Sequence, residues 1–157
     1  MSLQIGDSAP DFTLKGTQAD DPVSLSGFVG SKNVVVLFFP LAWTGVCTKE
    51  MCSIRDNHSQ YEDLQTQVLG ISVDSPFALA AWSKEQGFNF PLLSDFNREA
   101  SRAYGAIYDD LLGFKDVAKR AAFVVDKEGK VRYAEVLEKA SDLPDFDAIR
   151  EVLSSLS

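Results

Sequence analysis

Cysteine and histidine are scarce in this chain. It has two cysteines, Cys47 and Cys52, and one histidine, His58. That set cannot supply the ligands of a structural zinc site, and its spacing does not fit a finger. No metal is therefore expected, and no other cofactor is read from the sequence. Positive charge is also in short supply: 15 Lys and Arg stand against 23 Asp and Glu, a formal net charge of −8. Nucleic acid and anionic membrane surfaces reward clustered cations, so neither is expected as the main partner. Long apolar runs, internal repeats and low-complexity stretches are missing, which leaves no expected membrane span and no solenoid. The first residues lack a basic segment followed by an apolar stretch, so no secretory signal is read and the expected compartment is a reducing cytoplasm. In that setting two thiols read as reactive, metal-binding or buried rather than as a structural staple.

What is present is enough apolar residue, 45% of the chain, for one core. Residues 1–157 are expected to form a single domain. Ala9 to Leu14 alternates like a short strand, Gly16 to Pro22 is a polar turn, and Val23 to Leu25 reads as a short returning strand. Asn33 to Phe39 is the strongest strand signal, an unbroken β-branched and aromatic run of the kind buried on both faces. Pro40 ends it. From Thr44 a helical period takes over through Val46, Met51, Ile54, Tyr61 and Leu64. Val68 to Val73 is a second buried strand. Ser75 and Pro76 cap and open a helix that Gly87 closes. Phe90 to Ser94 is a short strand, Asn97 to Tyr104 a short helix, Ala121 to Asp126 and Val131 to Val136 an antiparallel hairpin, and Pro144 to Leu153 a final helix. This order predicts an α/β protein with a mixed central sheet and helices on both faces.

The chemistry concentrates in Phe38 to Cys52, which holds both cysteines. A thiolate is the reactive form of cysteine, and positive potential favours it. If Thr44 caps the helix, Cys47 lies in its first turn, where unpaired backbone N–H groups and the positive dipole end meet the sulfur. Glu50, three residues on, shares that helix face. A carboxylate beside a thiolate is unfavourable alone, so the pattern asks for an arginine held between them. Cys52 lies about 140° round the helix and about 7.5 Å along it from Cys47. That exceeds the roughly 7 Å Cα separation a disulfide tolerates, so a bond between them needs the helix start to unwind. On its own, Cys52 reads as a core residue facing the sheet. His58 is too far along the axis to serve Cys47 as a base.

Pro40-x-x-x-Thr44-x-x-Cys47, with Glu50 and Arg55-Asp56 after it, resembles the active-site motif of the peroxiredoxin family. Gly6-Asp7-x-Ala9-Pro10-Asp11-Phe12-x-Leu14 is similar to that family's opening segment, and Arg120 to Asp126 to its strand preceded by an arginine. Phe38 to Cys47 looks most like the AhpE-like group. The Cys47-x-x-x-x-Cys52 spacing resembles the bacterioferritin-comigratory or Q-type group, whose Lys-Asp-x-Thr-Pro-Gly-Cys segment is absent here. The resemblance implies a thioredoxin-like fold and reduction of hydrogen peroxide, organic hydroperoxides or peroxynitrite. It implies Cys47 as peroxidatic nucleophile, Thr44 and Arg120 as partners of thiolate and substrate, Pro40 as a shield against water and Glu50 as holder of Arg120. Cys52 would resolve the sulfenic acid at Cys47. The alternatives are an external thiol with Cys52 structural, or a non-enzymatic redox sensor or holdase. The reductant would be a thioredoxin-like or glutaredoxin-like protein or a low-molecular-weight thiol. A homodimer is expected, with Trp43 or the Tyr104 to Phe114 segment at its interface. A disulfide reductase on the same fold is disfavoured, since the Cys-x-x-Cys spacing is absent.

Overall fold

The computed structural model describes residues 3–17 and 22–156. Its strands are β1 (Thr13–Gly16), β2 (Val23–Ser24), β3 (Asn33–Phe38), β4 (Thr66–Ser72), β5 (Leu92–Ser94), β6 (Ala121–Val125) and β7 (Val131–Val136). Its helices are α1 (Gly45–Asp56), α2 (His58–Asp63), α3 (Pro76–Gln86), α4 (Glu99–Ala103) and α5 (Phe146–Leu156). The strands form one mixed sheet in the order β2-β1-β5-β4-β3-β6-β7. Strand β3 lies well inside it, parallel to β4 and antiparallel to β6, with all six residues buried. That position explains its composition, because a strand covered on both faces gains from apolar side chains in either direction.

Alternation along β3 divides the core. Val35, Leu37 and Phe39 pack with Met51 and Ile54 of α1, Leu79 and Trp82 of α3, and Ile149 and Leu153 of α5. Val34, Val36 and Phe38 pack on the opposite face with Phe12, Ala100 of α4 and Tyr104. Both faces thus carry helices, as the element order requires. Gly70 on β4 sets how closely α1 approaches the sheet. A Cβ there would meet Leu92 Cδ2 at 2.8 Å and Met51 Sδ at 3.4 Å. Gly87 stops α3 in the left-handed conformation, φ +66°, while Ser75 Oγ caps its start by accepting from Ala78 N–H.

Several boundaries differ from the sequence-based expectation, each for a local reason. The strand expected over Ala9 to Leu14 is displaced to Thr13–Gly16, because Ala9 N–H instead donates to the Gly129 carbonyl in the β6–β7 turn and Pro10 has no N–H. The second strand ends at Ser24, and Leu25 to Phe28 coil into a 3-10 turn. The long helix after Thr44 breaks at Asn57, whose side-chain amide donates to the Ser53 carbonyl and competes with the helical ladder. Helix α4 begins late because buried Asp95 accepts the Ala100 and Ser101 amides. Helix α5 runs from Phe146 to Leu156, with Asp145 accepting the Ala148 amide at its start. Part of the polar turn expected over Gly16 to Pro22, residues 18–21, lies outside the described residues.

Candidate active site at Cys47

The register of β3 against β6 builds the site. Phe38, the last residue of β3, faces Ala121, the first residue of β6. The residue after β3's end and the residue before β6's start are therefore neighbours. The chain leaving β3 passes through buried Pro40 and turns into α1, and Arg120 arrives beside that turn. The arginine comes from 73 residues away in sequence, which is why no local spacing discloses the contact.

Arg120 is 2% exposed and uses its three guanidinium nitrogens on three different partners. Nη2 donates to Cys47 Sγ at 3.2 Å, Nη1 donates to Glu50 Oε1 at 2.7 Å, and Nε donates to the Ala140 carbonyl at 2.9 Å. The planar fork of arginine suits this division, since a lysine ammonium on its flexible stem does not present rigid, divergent donors. Cys47 and Glu50 are also buried, and the cation demanded by their shared helix face is this one. Burial pulls the Arg120 pKa down, but the Glu50 and Cys47 side chains outweigh it and hold the guanidinium above its ordinary value. Glu50 goes the other way. Removal from water raises its pKa to about 7, against the lowering effect of Arg120. Its second oxygen, Oε2, has no hydrogen-bond partner among the described residues, so the ionised form is supported on one side only.

Thr44 occupies the cap position of α1, with extended backbone at φ −89° and ψ 158°. Its side chain does not cap, in contrast to the usual behaviour of threonine there. The hydroxyl donates to the Leu41 carbonyl at 2.8 Å instead. Two consequences follow. The Thr44 side chain satisfies none of the first-turn amides of α1. The Thr44 oxygen, its hydrogen committed to Leu41, remains available as an acceptor.

Pro40, Thr44, Cys47 and Arg120 line a pocket of about 370 Å³, whose remaining wall includes Leu41, Val46, Leu111, Leu112 and Phe114. Sequence reasoning missed this apolar wall, because Leu111, Leu112 and Phe114 come from an irregular segment ahead of β6. The run of those three residues around Gly113 in a loop was the available signal. Leu112 and Phe114 are 90% and 56% exposed, and Trp43, next to Thr44, is 52% exposed.

Cys52 is placed differently. It is half-buried on α1 against α3, and Sγ lies 3.6 Å from Gln86 Oε1. It packs at the border of the core beneath the helices rather than in its centre. Both thiols are free, and α1 is continuous between them, so the structure contains no disulfide at this pair. Arg55 donates to the Gln86 carbonyl and to Asp56, and so belongs to the surroundings of Cys52, not of Cys47. His58 pairs with Glu62 one turn on, away from either sulfur. No group of three or more potential metal ligands occurs among the described residues, and no helix among them is long and apolar enough to cross a membrane.

Comparison with known proteins gives a consistent set. The AhpC/TSA family model matches residues 5–134. Alkyl hydroperoxide reductase E of Mycobacterium tuberculosis is 43% identical over 99% of this chain and 99% of its own length. The chloroplastic 2-Cys peroxiredoxin BAS1 of Spinacia oleracea is 36% identical over 84% of this chain and 52% of its own. Among solved structures, peroxidoxin BcpB from Mycobacterium tuberculosis superposes with a TM-score of 0.87 at 30% identity, covering 99% of both chains. Reduced 2-Cys peroxiredoxin of Plasmodium vivax superposes with a TM-score of 0.85 at 28% identity, covering 96% of this chain and 80% of that one.

Proposed function

The chain belongs to the AhpC/TSA peroxiredoxin family, and on that premise we propose how its thioredoxin-like domain works as a thiol-dependent peroxidase, with Cys47 as the peroxidatic nucleophile. One observation carries the assignment: a single buried guanidinium bonded at once to Cys47 Sγ and Glu50 Oε1, beside a pocket open to solvent.

The Cys47 thiolate attacks the terminal oxygen of a hydroperoxide. A sulfur–oxygen bond forms, the oxygen–oxygen bond breaks, and the alkoxide or hydroxide leaves and takes up a proton. Cys47 is oxidised to a sulfenic acid and the peroxide is reduced to an alcohol or water. Arg120 stabilises the thiolate and the charge that shifts onto the peroxide oxygens. Thr44 accepts the hydrogen of the incoming O–OH, which its bond to Leu41 leaves it free to do. Pro40 offers no N–H and keeps water off the sulfur. Glu50 holds Arg120 in place. The leucines and Phe114 of the pocket wall suit the organic part of an alkyl hydroperoxide, with hydrogen peroxide and peroxynitrite as smaller substrates.

The sulfenic acid is then resolved by Cys52: its thiol displaces water to give a Cys47–Cys52 disulfide. A thioredoxin-like or glutaredoxin-like dithiol reduces that bond and leaves as a disulfide. A second reading has its own support in the intact α1 and the Cys52 contact with Gln86, both of which keep the sulfurs apart. In it, a low-molecular-weight thiol resolves Cys47 and Cys52 is structural. The protein works in the cytoplasm as a homodimer, with exposed Trp43, Leu112 and Phe114 beside the pocket as the pairing surface. The test is peroxide consumption by the reduced protein. The wild type reacts orders of magnitude faster than free cysteine and turns over with a dithiol reductant, and Cys47→Ser does neither. A wild-type rate no faster than free cysteine refutes the assignment. Fast oxidation without turnover on any reductant identifies a redox sensor or holdase.

A further inference from the structure

Packing holds the loop between β3 and α1, but few hydrogen bonds from its backbone reach the rest of the protein. Pro40 has no N–H. Among the described residues, the amide of Ala42 is the backbone donor of residues 41–44 that reaches another element, and its acceptor is Asp74 Oδ2 at 2.8 Å. Asp74 stands just beyond β4, and three further bonds hold it. Buried Ser72 Oγ donates to the same Oδ2 at 2.7 Å, the Asp74 amide donates back to Ser72 Oγ at 3.2 Å, and buried Ser94 Oγ on β5 donates to the Asp74 carbonyl at 2.6 Å. The loop it anchors is under strain. Trp43 has φ +71°, the left-handed region that a bulky residue enters only when its surroundings enforce it. Ala42 is next to Trp43, and Thr44, on the other side, closes back on Leu41. One end of the turn is thus pinned to β4 through Asp74 and the other is pinned to itself.

We propose that Asp74 is a positioning residue for the peroxide reaction. Clamped by Ser72 and Ser94, its carboxylate holds the Ala42 amide and so fixes the turn that brings Pro40 and Thr44 to Cys47. This rests on the peroxidase function proposed for Cys47. Asp74 acts through the loop, whereas the bonds that join Cys47, Glu50 and Arg120 are made between α1 and the residue ahead of β6. Removing it should move Thr44 relative to the sulfur while leaving the guanidinium contact in place.

The test compares wild type, Asp74→Ala and Asp74→Asn. Stopped-flow peroxide oxidation gives the second-order rate, iodoacetamide gives the alkylation rate of Cys47, and hydrogen exchange gives the protection of residues 41–44. Asp74→Ala should react with peroxide about tenfold to a hundredfold more slowly, the scale expected when a reacting group is displaced by an ångström or less. Its alkylation rate should match wild type, since iodoacetamide makes no use of Thr44, and exchange in 41–44 should rise. Asp74→Asn keeps an oxygen for the Ala42 N–H and should recover to within about threefold of wild type. If Asp74→Ala does not fold, Ser72→Ala removes one clamp and leaves the carboxylate, and should show the same pattern severalfold weaker. A peroxide rate within twofold of wild type in Asp74→Ala, or in Ser72→Ala where Asp74→Ala does not fold, overturns the proposal, as does unchanged exchange of 41–44 in that variant. A wild type that fails to consume peroxide refutes the peroxidase function instead, and is told apart because the control itself is then inactive.

Discussion

Cys47 and Cys52 lie on the same helix, within two turns of each other, yet their surroundings have almost nothing in common. Cys47 is 1% exposed, receives a charged donor from the residue ahead of β6, and borders a pocket. Cys52 is half-buried, faces a neutral amide on α3, and takes no part in lining that pocket. The first thiol sits against a buried cation that Glu50 and the Ala140 carbonyl hold in place. The second lies against Gln86 Oε1, and Arg55 donates to the carbonyl of the same glutamine. A nucleophile gains from preorganisation because no reorganisation is then needed as charge develops. A resolving thiol gains from the opposite, because it must travel. A helix that supports both roles has to be rigid at its first turn during attack and open there afterwards.

The largest break in this contrast comes from Arg120. Arg120→Ala removes the donor to Cys47 and leaves Glu50 buried without its partner. Loss of one preorganised donor typically costs about 100-fold to 1,000-fold in rate, and we expect peroxide oxidation to slow by that amount. Arg120→Lys keeps the charge but cannot reach Cys47, Glu50 and the Ala140 carbonyl together, so it should recover only a small part of the loss. Stopped-flow oxidation across a peroxide series measures both. A lysine variant at wild-type rate would mean that charge alone suffices and the fork geometry is irrelevant.

The second break asks whether Cys52 travels. After one equivalent of peroxide, the wild-type mass should fall by two hydrogens, as a Cys47–Cys52 disulfide requires. Cys52→Ser should keep a sulfenic acid or oxidise further. Gln86→Ala removes the side-chain contact to Cys52, and should speed disulfide formation severalfold while leaving the initial attack on peroxide unchanged. Mass spectrometry on a quenched time course separates the two steps. A wild type that stops at sulfenic acid or forms only a mixed disulfide favours the one-cysteine reading, with Cys52 a packing residue.

Much of this arrangement was legible before any coordinates. The unbroken apolar run at Asn33 to Phe39, the Ser75-Pro76 start and the Gly87 stop all rest on strong local rules, and the strand and helix are where those rules put them. The demand for a cation between Cys47 and Glu50 was also local, since helical spacing puts both on one face. The identity of that cation was not local, because it depends on the pairing that sets the residue ahead of β6 beside the end of β3, and in the sequence only the resemblance to the peroxiredoxin family named Arg120. The same dependence on pairing holds for Asp74, which reaches Ala42 only because β3 and β4 are parallel and end side by side. The Thr44 side chain departed from its residue-type preference. The turn at Trp43 brings the Leu41 carbonyl within reach, and that neighbour captured the hydroxyl. The break at Asn57 was a competition between an asparagine side chain and the helical ladder, and periodicity does not register it.

The smallest expected effect is on stability, and it isolates the acid that holds the cation. Burial raises the Glu50 pKa to about 7. In the unfolded chain the carboxyl titrates near its ordinary value, so between about pH 4.5 and 7 the folded state binds more protons than the unfolded state. By linkage, the slope of stability against pH is then negative. The contribution from Glu50 is fully present below the unfolded value, declines through that window, and is gone above about pH 7. A difference of one bound proton changes stability by about 1.4 kcal/mol for each pH step of one, which bounds the steepest part of the decline. Thermal unfolding between about pH 5 and 8 should therefore show the wild-type Tm falling by a few degrees more than that of Glu50→Gln, since about 1 kcal/mol moves Tm by roughly 2–4 °C in a chain of this size. Arg120 stays charged throughout, its pKa being raised, so it adds no slope of its own in this range. The glutamine keeps an oxygen for Arg120 Nη1 but has no proton to lose. Parallel Tm curves for the two proteins would show that Glu50 is ionised across the range, and that its pairing with Arg120 outweighs its burial.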